Sequence, residues 1–310
     1  MNRTSLATSL LLSLIAAGTA SAQKYKFSEI VDGLQPTTIR RPYSISNDGT
    51  ILLQPYSAFN IPINGLLIKG STIQTIAQPQ GNGQLYSLSN NGYISGTSGM
   101  GVFYLDPEYN VHQLQVPVGG GRYATGINSS RLVVGMYTSS TSGVNAWTCK
   151  NGNFAQYVYP GSTECTLNGV NDNGDMVGTF FVENLHTTYT AFLVVKGKAK
   201  AFAVSTCVDP LPSAISNNGI VVGTAISMPS KRTIGFVRSS TGVIETIDYK
   251  KYAPASIPAP SGTATLTSSY GTEVFGVNSS GVIVGMFTGT YATSDGTWSQ
   301  TQYFPFMATP

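Results

Sequence analysis

Charge is scarce in this chain. Its 310 residues hold only 17 Lys and Arg against 14 Asp and Glu, a formal net charge of +3. A general nucleic-acid binder needs a dense basic face to displace counterions, so that class is excluded. Fourteen acidic residues are also too few for a site built on many acidic metal ligands. With two His and three Cys there is no zinc-spaced set. Phosphate-binding Walker loops, Gly-x-Ser-x-Gly elbows and sialidase-type Asp boxes are missing as well. No stretch repeats with the 3.6-residue period of a helix. These gaps lead us to expect no metal and no cofactor.

What is present begins with an export signal over residues 1–22. Arg3 supplies the charged start, Leu6 to Ala17 the apolar centre, and Ala20-Ser21-Ala22 the small-residue cleavage site. No later apolar run is long enough to span a bilayer. The mature chain, residues 23–310, is expected to be a secreted single domain, extracellular or periplasmic. Its 34 Gly and 17 Tyr, with many Ser, Thr and Asn, suit β-strands joined by tight turns.

A motif recurs six times: an apolar residue, Asn or Ser, two small polar residues, Gly, then an apolar run. The copies are Ile45-Ser46-Asn47-Asp48-Gly49, Leu88-Ser89-Asn90-Asn91-Gly92, Ile127-Asn128-Ser129-Ser130-Arg131, Val170-Asn171-Asp172-Asn173-Gly174, Ile215-Ser216-Asn217-Asn218-Gly219 and Val277-Asn278-Ser279-Ser280-Gly281. Asn, Asp and Ser bond their own backbone in turns, and glycine supplies the positive φ such turns need. Each copy therefore predicts strand, turn, strand. Arg131 stands where the other copies have glycine. Asn171-Asp172-Asn173-Gly174-Asp175 superficially resembles a calcium loop. It lacks the carboxylate alternation and bidentate Glu of one, and is read as a turn. A second glycine follows at Gly96, Gly135, Gly178, Gly223 and Gly285, with Leu53 in that place in the first copy. Glycine inside a strand points to a packing constraint common to the copies.

Two further short strands follow each motif, so each unit is four strands in about 40–45 residues, the size of a propeller blade. After the sixth motif only Thr301–Met307 remains as a third strand. One unmatched strand, Lys26–Asp32, precedes the first motif. The expected fold is all-β: a six-bladed β-propeller of four-stranded antiparallel blades, closed by the N-terminal strand joining the last blade. Joining the ends removes an exposed sheet edge. Lys250–Ser269, rich in Pro, Ala, Ser and Thr, is predicted to be an inserted loop.

The segments Gly126-Ile127-Asn128 … Val133-Val134-Gly135 and Gly169-Val170-Asn171-Asp172-Asn173-Gly174-Asp175-Met176-Val177-Gly178 resemble the bacterial extracellular HAF-type repeats. There a GIN-x-x-G-x-VVG segment precedes an HAF segment. The matching third-strand positions are Asn145-Ala146-Trp147, Thr190-Ala191-Phe192 and Ile234-Gly235-Phe236, so Ala-Phe is partly kept and the His is absent. The resemblance covers nearly all of the mature chain and implies a secreted, propeller-like protein. It carries no single activity.

Loops of one face would collect the functional groups, opposite the Asn turns. Loops leading into first strands carry Arg40, Arg41, Tyr43, Tyr86, Arg122, Tyr123, Glu164, Cys165, Asp209 and Glu273. Loops between second and third strands carry Tyr56, Glu183, His186, Tyr189, Lys231, Arg232, Tyr291, Asp295 and Trp298. The expected function is binding of an extracellular polysaccharide or cell-surface glycan. Arg40, Arg41, Lys231, Arg232, Glu164, Asp209, Glu273 and Trp298 are the candidate binding residues. With only two Trp and irregular loops, six equivalent sugar sites are not expected. The alternative is a polyuronide lyase acting by β-elimination. Arg122, Lys231 and Arg232 would bind and neutralise a uronate, and His186 with Tyr189 or Tyr123 would serve as base and acid. A glycosidase would need a carboxylate pair such as Glu164 with Asp209 or Glu273. A structural or adhesive surface protein is the third class. In an oxidising compartment Cys165 and Cys207, both just before first strands, are the expected disulfide, with Cys149 packed inside a strand.

Overall fold

The computed structural model describes residues 25–310 apart from 36, 58, 78–82, 117–119, 140–142 and 183–187. The expected export signal, residues 1–22, lies outside these residues. The chain is all-β, and the motif's alternation of apolar and polar residues sets the strands. Four sheets are four-stranded antiparallel meanders, named here in chain order. Unit A comprises Ile39–Ile45, Ile51–Tyr56, Gly65–Lys69 and Thr72–Ile76. Units B, C and D span residues 84–114, 122–157 and 164–202 in the same manner. The fifth sheet has nine strands. Cys207–Ile215, Val221–Ser227, Thr233–Arg238 and Ile244–Ile247 form unit E within it. Gly262–Val277, Ile283–Thr293, Ser299–Thr309 and the N-terminal Lys26–Glu29 form unit F. The two units meet at one parallel pair, Thr233 with Gly271. Lys26–Glu29 pairs antiparallel with Phe306–Thr309.

The shared packing constraint is visible in the strand register. Gly96, Gly135, Gly178, Gly223 and Gly285 lie directly opposite Phe103, Trp147, Phe192, Phe236 and Phe306 of the third strands. Each aromatic ring is fully buried and lies on its glycine, so a methyl group at any of the five would collide with the ring. It would also collide with a first-strand carbonyl oxygen, that of Thr166 in the case of Gly178. Unit A solves the same problem with two aliphatic residues, Leu53 opposite Leu66.

Neighbouring units pack face to face, and their apolar cores lie between sheets. One core joins Ile45, Ile51 and Leu53 of unit A to Val284 of unit F, together with Ile30. Arg40 fastens the same junction. Its guanidinium donates to Asp32 Oδ1 at 2.7 Å and to the Tyr303 carbonyl at 2.7 Å, with Arg40 and Asp32 side chains only 3% and 1% exposed. Phe27 of the N-terminal strand packs edge-on to Phe306 and Tyr249, which stack on each other at 4.7 Å.

Two expectations are corrected. The segment 250–269 is not a loop: Ser256–Ala259 pairs with Gly262–Thr265, and strand Gly262–Val277 runs on unbroken into unit F. Thr263, Thr265 and Leu266 favour strand, and Pro258 is tolerated because it sits on the outer edge. The cysteines do not pair. All three are free, and Cys165 packs with Val134 and Phe192 between units C and D, while Cys207 packs with Val221 and Phe236 between units D and E. Their side chains serve different cores, so adjacency in the repeat does not bring the sulfurs together. Cys149 is buried between units B and C.

Candidate binding site at the channel mouth

The first strands of all six units line one narrow cavity of about 60 Å³. Every first strand carries a bulge, where the register shifts across one unpaired residue. The bulges fall at Pro42/Ser44, Leu85/Ser87, Ala124/Gly126, Leu167/Gly169, Pro212/Ala214 and Val274/Gly276. The residues so re-aimed are Tyr43, Tyr86, Thr125, Asn168, Ser213 and Phe275. A bulge turns a side chain away from the strand's two ordinary faces. Five of these six line the cavity, and Phe275 meets Tyr43 edge-on at 5.4 Å. The residue after each bulge is small: Ser44, Ser87, Gly126, Gly169, Ala214 or Gly276. A methyl on Gly169 would press on the Ser213 carbonyl, and one on Gly276 on the Ser44 backbone. Small residues thus let the first strands crowd round the cavity.

The six bulged residues fall into two halves. Thr125 Oγ1 donates to the Leu167 carbonyl at 2.6 Å, Asn168 Nδ2 to that of Pro212 at 3.0 Å, and Ser213 Oγ to that of Val274 at 2.8 Å. That half ties units together. The other half, Phe275, Tyr43 and Tyr86, is aromatic. Tyr43 and Tyr86 meet edge-on at 5.4 Å, and Tyr123 lies beyond Tyr86 at 6.3 Å.

One end of the cavity is closed by the Asn motifs, which bond from unit to unit. Asn47 N donates to Asn90 Oδ1, Asn91 Nδ2 to the Ser129 carbonyl, and Asn128 Nδ2 to that of Asn171. Asn171 Nδ2 then donates to the Ser216 carbonyl, Asn218 Nδ2 to that of Ser279, and Asn278 Nδ2 to that of Ser46. Asp172 reaches furthest across, accepting from Asn90, Ser129 and Asn217. Burial alone would raise its pKa, but the Asn217 and Asn90 amides and Ser129 hold it below the usual carboxylate value. Among the described residues no cluster of three or more His, Cys, Asp or Glu could hold a metal.

The other end is the mouth, where Arg41, Tyr56, Gln84 and Glu273 stand round the aromatic half. The Tyr43 and Tyr56 hydroxyls share a hydrogen bond of 2.8 Å, and the Gln84 amide donates to both. The Arg41 guanidinium lies 5.4 Å from the Tyr56 ring centre. Burial by itself would lower the Arg41 pKa, but the Tyr43, Glu273 and Tyr56 oxygens outweigh it and raise the value. Burial raises the Glu273 pKa, and Arg41 only partly offsets this. Arg41 and Glu273 make no ion pair with each other, since every ion pair between described residues lies elsewhere. Burial also raises Tyr56 and Tyr86, so both stay neutral donors.

Of the residues singled out in the sequence, Arg41, Tyr43, Tyr56, Tyr86, Tyr123 and Glu273 converge here. They stand mainly in strands, not loops. Gln84 and Phe275 were not singled out; Phe275 stands at a bulge, a position that cannot be read from alternation, and Gln84 is a regularly paired strand residue. Arg40 is consumed in the buried pair with Asp32. Arg122 lines an adjoining groove with Thr97, Met100 and Tyr123, and its buried Nε has no hydrogen-bond partner among the described residues. Tyr189 donates to Glu164 at 2.5 Å, which pushes the tyrosine up to about 12. Arg232 is tied to Asp248 and Ser269, both at 2.8 Å, while Lys231 is exposed on a turn. Asp209 is half-buried at φ 48°, and Trp298 packs on the unit F core. His186 and Glu183 lie outside the described residues.

No protein-family model matches the sequence, and no curated protein sequence matches it. Solved structures do match in fold. A protein assigned as TolB from Agrobacterium tumefaciens is 10% identical with a TM-score of 0.53, over 86% of this chain and 91% of that one. A gluconolactonase from Xanthomonas campestris is 12% identical with a TM-score of 0.49, over 92% and 89%. The Aleuria aurantia lectin, solved with α-methyl-L-fucoside, is 10% identical with a TM-score of 0.47, over 86% and 95%. At such identities the likeness to the first of these is one of fold alone, an all-β, propeller-like architecture.

Proposed function

We propose that the protein is a secreted, closed six-bladed propeller of the HAF-repeat kind that binds a carbohydrate at its channel mouth. The ring reading rests on the hydrogen bonds running from each Asn motif to the next and from Asn278 back to Ser46. It rests also on the pairing of the N-terminal strand with the last one. The carbohydrate reading rests on one observation: bulges turn Tyr43, Tyr86 and Phe275 to one side of the channel, beside Arg41 and Glu273, which feel each other's charge but make no direct ion pair. Aromatic rings offer apolar faces to the C–H surface of a sugar, while a few fixed polar groups orient its hydroxyls. The polymer end or side chain rests on the mouth, because the cavity beneath has room only for a few waters.

The test is a panel of purified extracellular polysaccharides and cell-surface glycans, with retention and product both measured. Binding is expected without chemical change, and Tyr86→Ala should weaken it at least about tenfold. Unaltered binding in Tyr86→Ala would remove the mouth as the site. An ultraviolet-absorbing unsaturated product, lost in His186→Ala, would move the protein to the lyase class instead.

A further inference from the structure

The face opposite the mouth carries a groove that this reading does not use. It lies between units B and C, with a volume of about 670 Å³ against about 60 Å³ for the channel. Its floor includes Cys149, only 2% exposed, and Tyr104. His112, Gln113, Arg131 and Asn151 also line it.

We propose that this groove binds an anionic sugar residue, a uronate of an acidic polysaccharide, through Arg131 and the stacked Tyr104–His112 pair. Arg131 is the first support. Its turn has φ 60°, where the equivalent residues Gly49, Gly92, Gly174, Gly219 and Gly281 have φ between 77° and 92°. A side chain in that left-handed conformation is strained, and strain of this kind gathers where a side chain is needed. The turn itself needs no arginine, since the other copies form the same one with glycine. Charge is the second support. Neither Arg131 nor Lys150, the partner of Leu132 in the adjoining strand, makes an ion pair with a described residue, whereas Lys69 of unit A is paired with Asp48 at 2.6 Å. The third is shape. The His112 and Tyr104 rings stack 4.7 Å apart with 9° between their planes. Asp106 fixes the imidazole at 2.8 Å from Nε2, and the side chain is still 44% exposed. A flat, fixed ring beside an unpaired guanidinium suits a sugar ring bearing a carboxylate, with the Gln113 and Asn151 amides available to its hydroxyls.

The experiment is calorimetric titration with oligogalacturonate and with the same oligomer fully methyl-esterified. It is run on the wild type and in a Tyr86→Ala background, so that the mouth does not contribute. The acid form is expected to bind and the ester at least about tenfold more weakly. Arg131→Gly should lose about tenfold for the acid form while melting no lower than the wild type, because glycine restores the turn of the other copies. His112→Ala should lose affinity for both forms. Equal binding of acid and ester, unchanged binding by Arg131→Gly, or no binding of the acid form would each overturn the proposal. Loss of binding only in Tyr86→Ala would assign the ligand to the mouth and overturn it too.

Discussion

Asp172→Asn tests the idea that the Asn motifs act as one ring. The carboxylate accepts from Asn90 Nδ2 at 2.6 Å, Ser129 N at 2.8 Å and Asn217 Nδ2 at 3.0 Å. An amide of the same shape can keep its oxygen toward Asn90 and Asn217, but its nitrogen then faces the Ser129 N–H. One donor is left unsatisfied, at roughly 1–3 kcal/mol, and two bonds lose charge assistance, at roughly 0.5–1 kcal/mol each. Asp172 is only half-buried and water relieves part of this, so about 2 kcal/mol is expected at neutral pH. In a chain of this size that lowers Tm by about 4 °C. The pH dependence has a definite sign. The folded pKa lies below the unfolded one, so the carboxylate's contribution is complete above the unfolded value of about 3.9. It is lost as the pH falls through the folded value. Near-ultraviolet circular dichroism melts of both proteins should therefore converge as the pH falls through the folded value. An equal Tm at pH 7, or a gap that persists undiminished in acid, would refute the ring as a source of stability.

Other outcomes follow from the packing. Gly178→Ala should cost about 3 kcal/mol or more, since the methyl meets the Thr166 carbonyl and not a movable side chain; urea unfolding measures it. Arg40→Met should cost about 3–5 kcal/mol by stranding the buried Asp32, and the double variant with Asp32→Leu should recover most of that. Thiol titration of the unfolded mature protein should count three thiols without reductant, and reductant should leave Tm unchanged; a count of one would restore the disulfide.

Local chemistry reaches a certain distance and no further. The turns at Asn90-Asn91-Gly92 and its counterparts, the strands on either side, and the strand complementing each chain end were legible because alternation and turn chemistry act within about ten residues. The glycines within second strands pointed to a packing constraint, although the ring lying on each of them became visible only in the register. Arg40 and Arg41 look interchangeable in sequence. Successive side chains of a strand face opposite ways, so one is buried against Asp32 and the other reaches the mouth. Cys165 and Cys207 occupy comparable places in their units, yet serve different cores.

The sequence by itself determined the repeat, its four-strand unit and the polarity of each unit, since those depend on near neighbours. Only the tertiary structure decided which side chains share the channel. The unpaired residue that each first strand carries at the cavity changes the face presented, and that shift is fixed by contacts with a unit about 40 residues away.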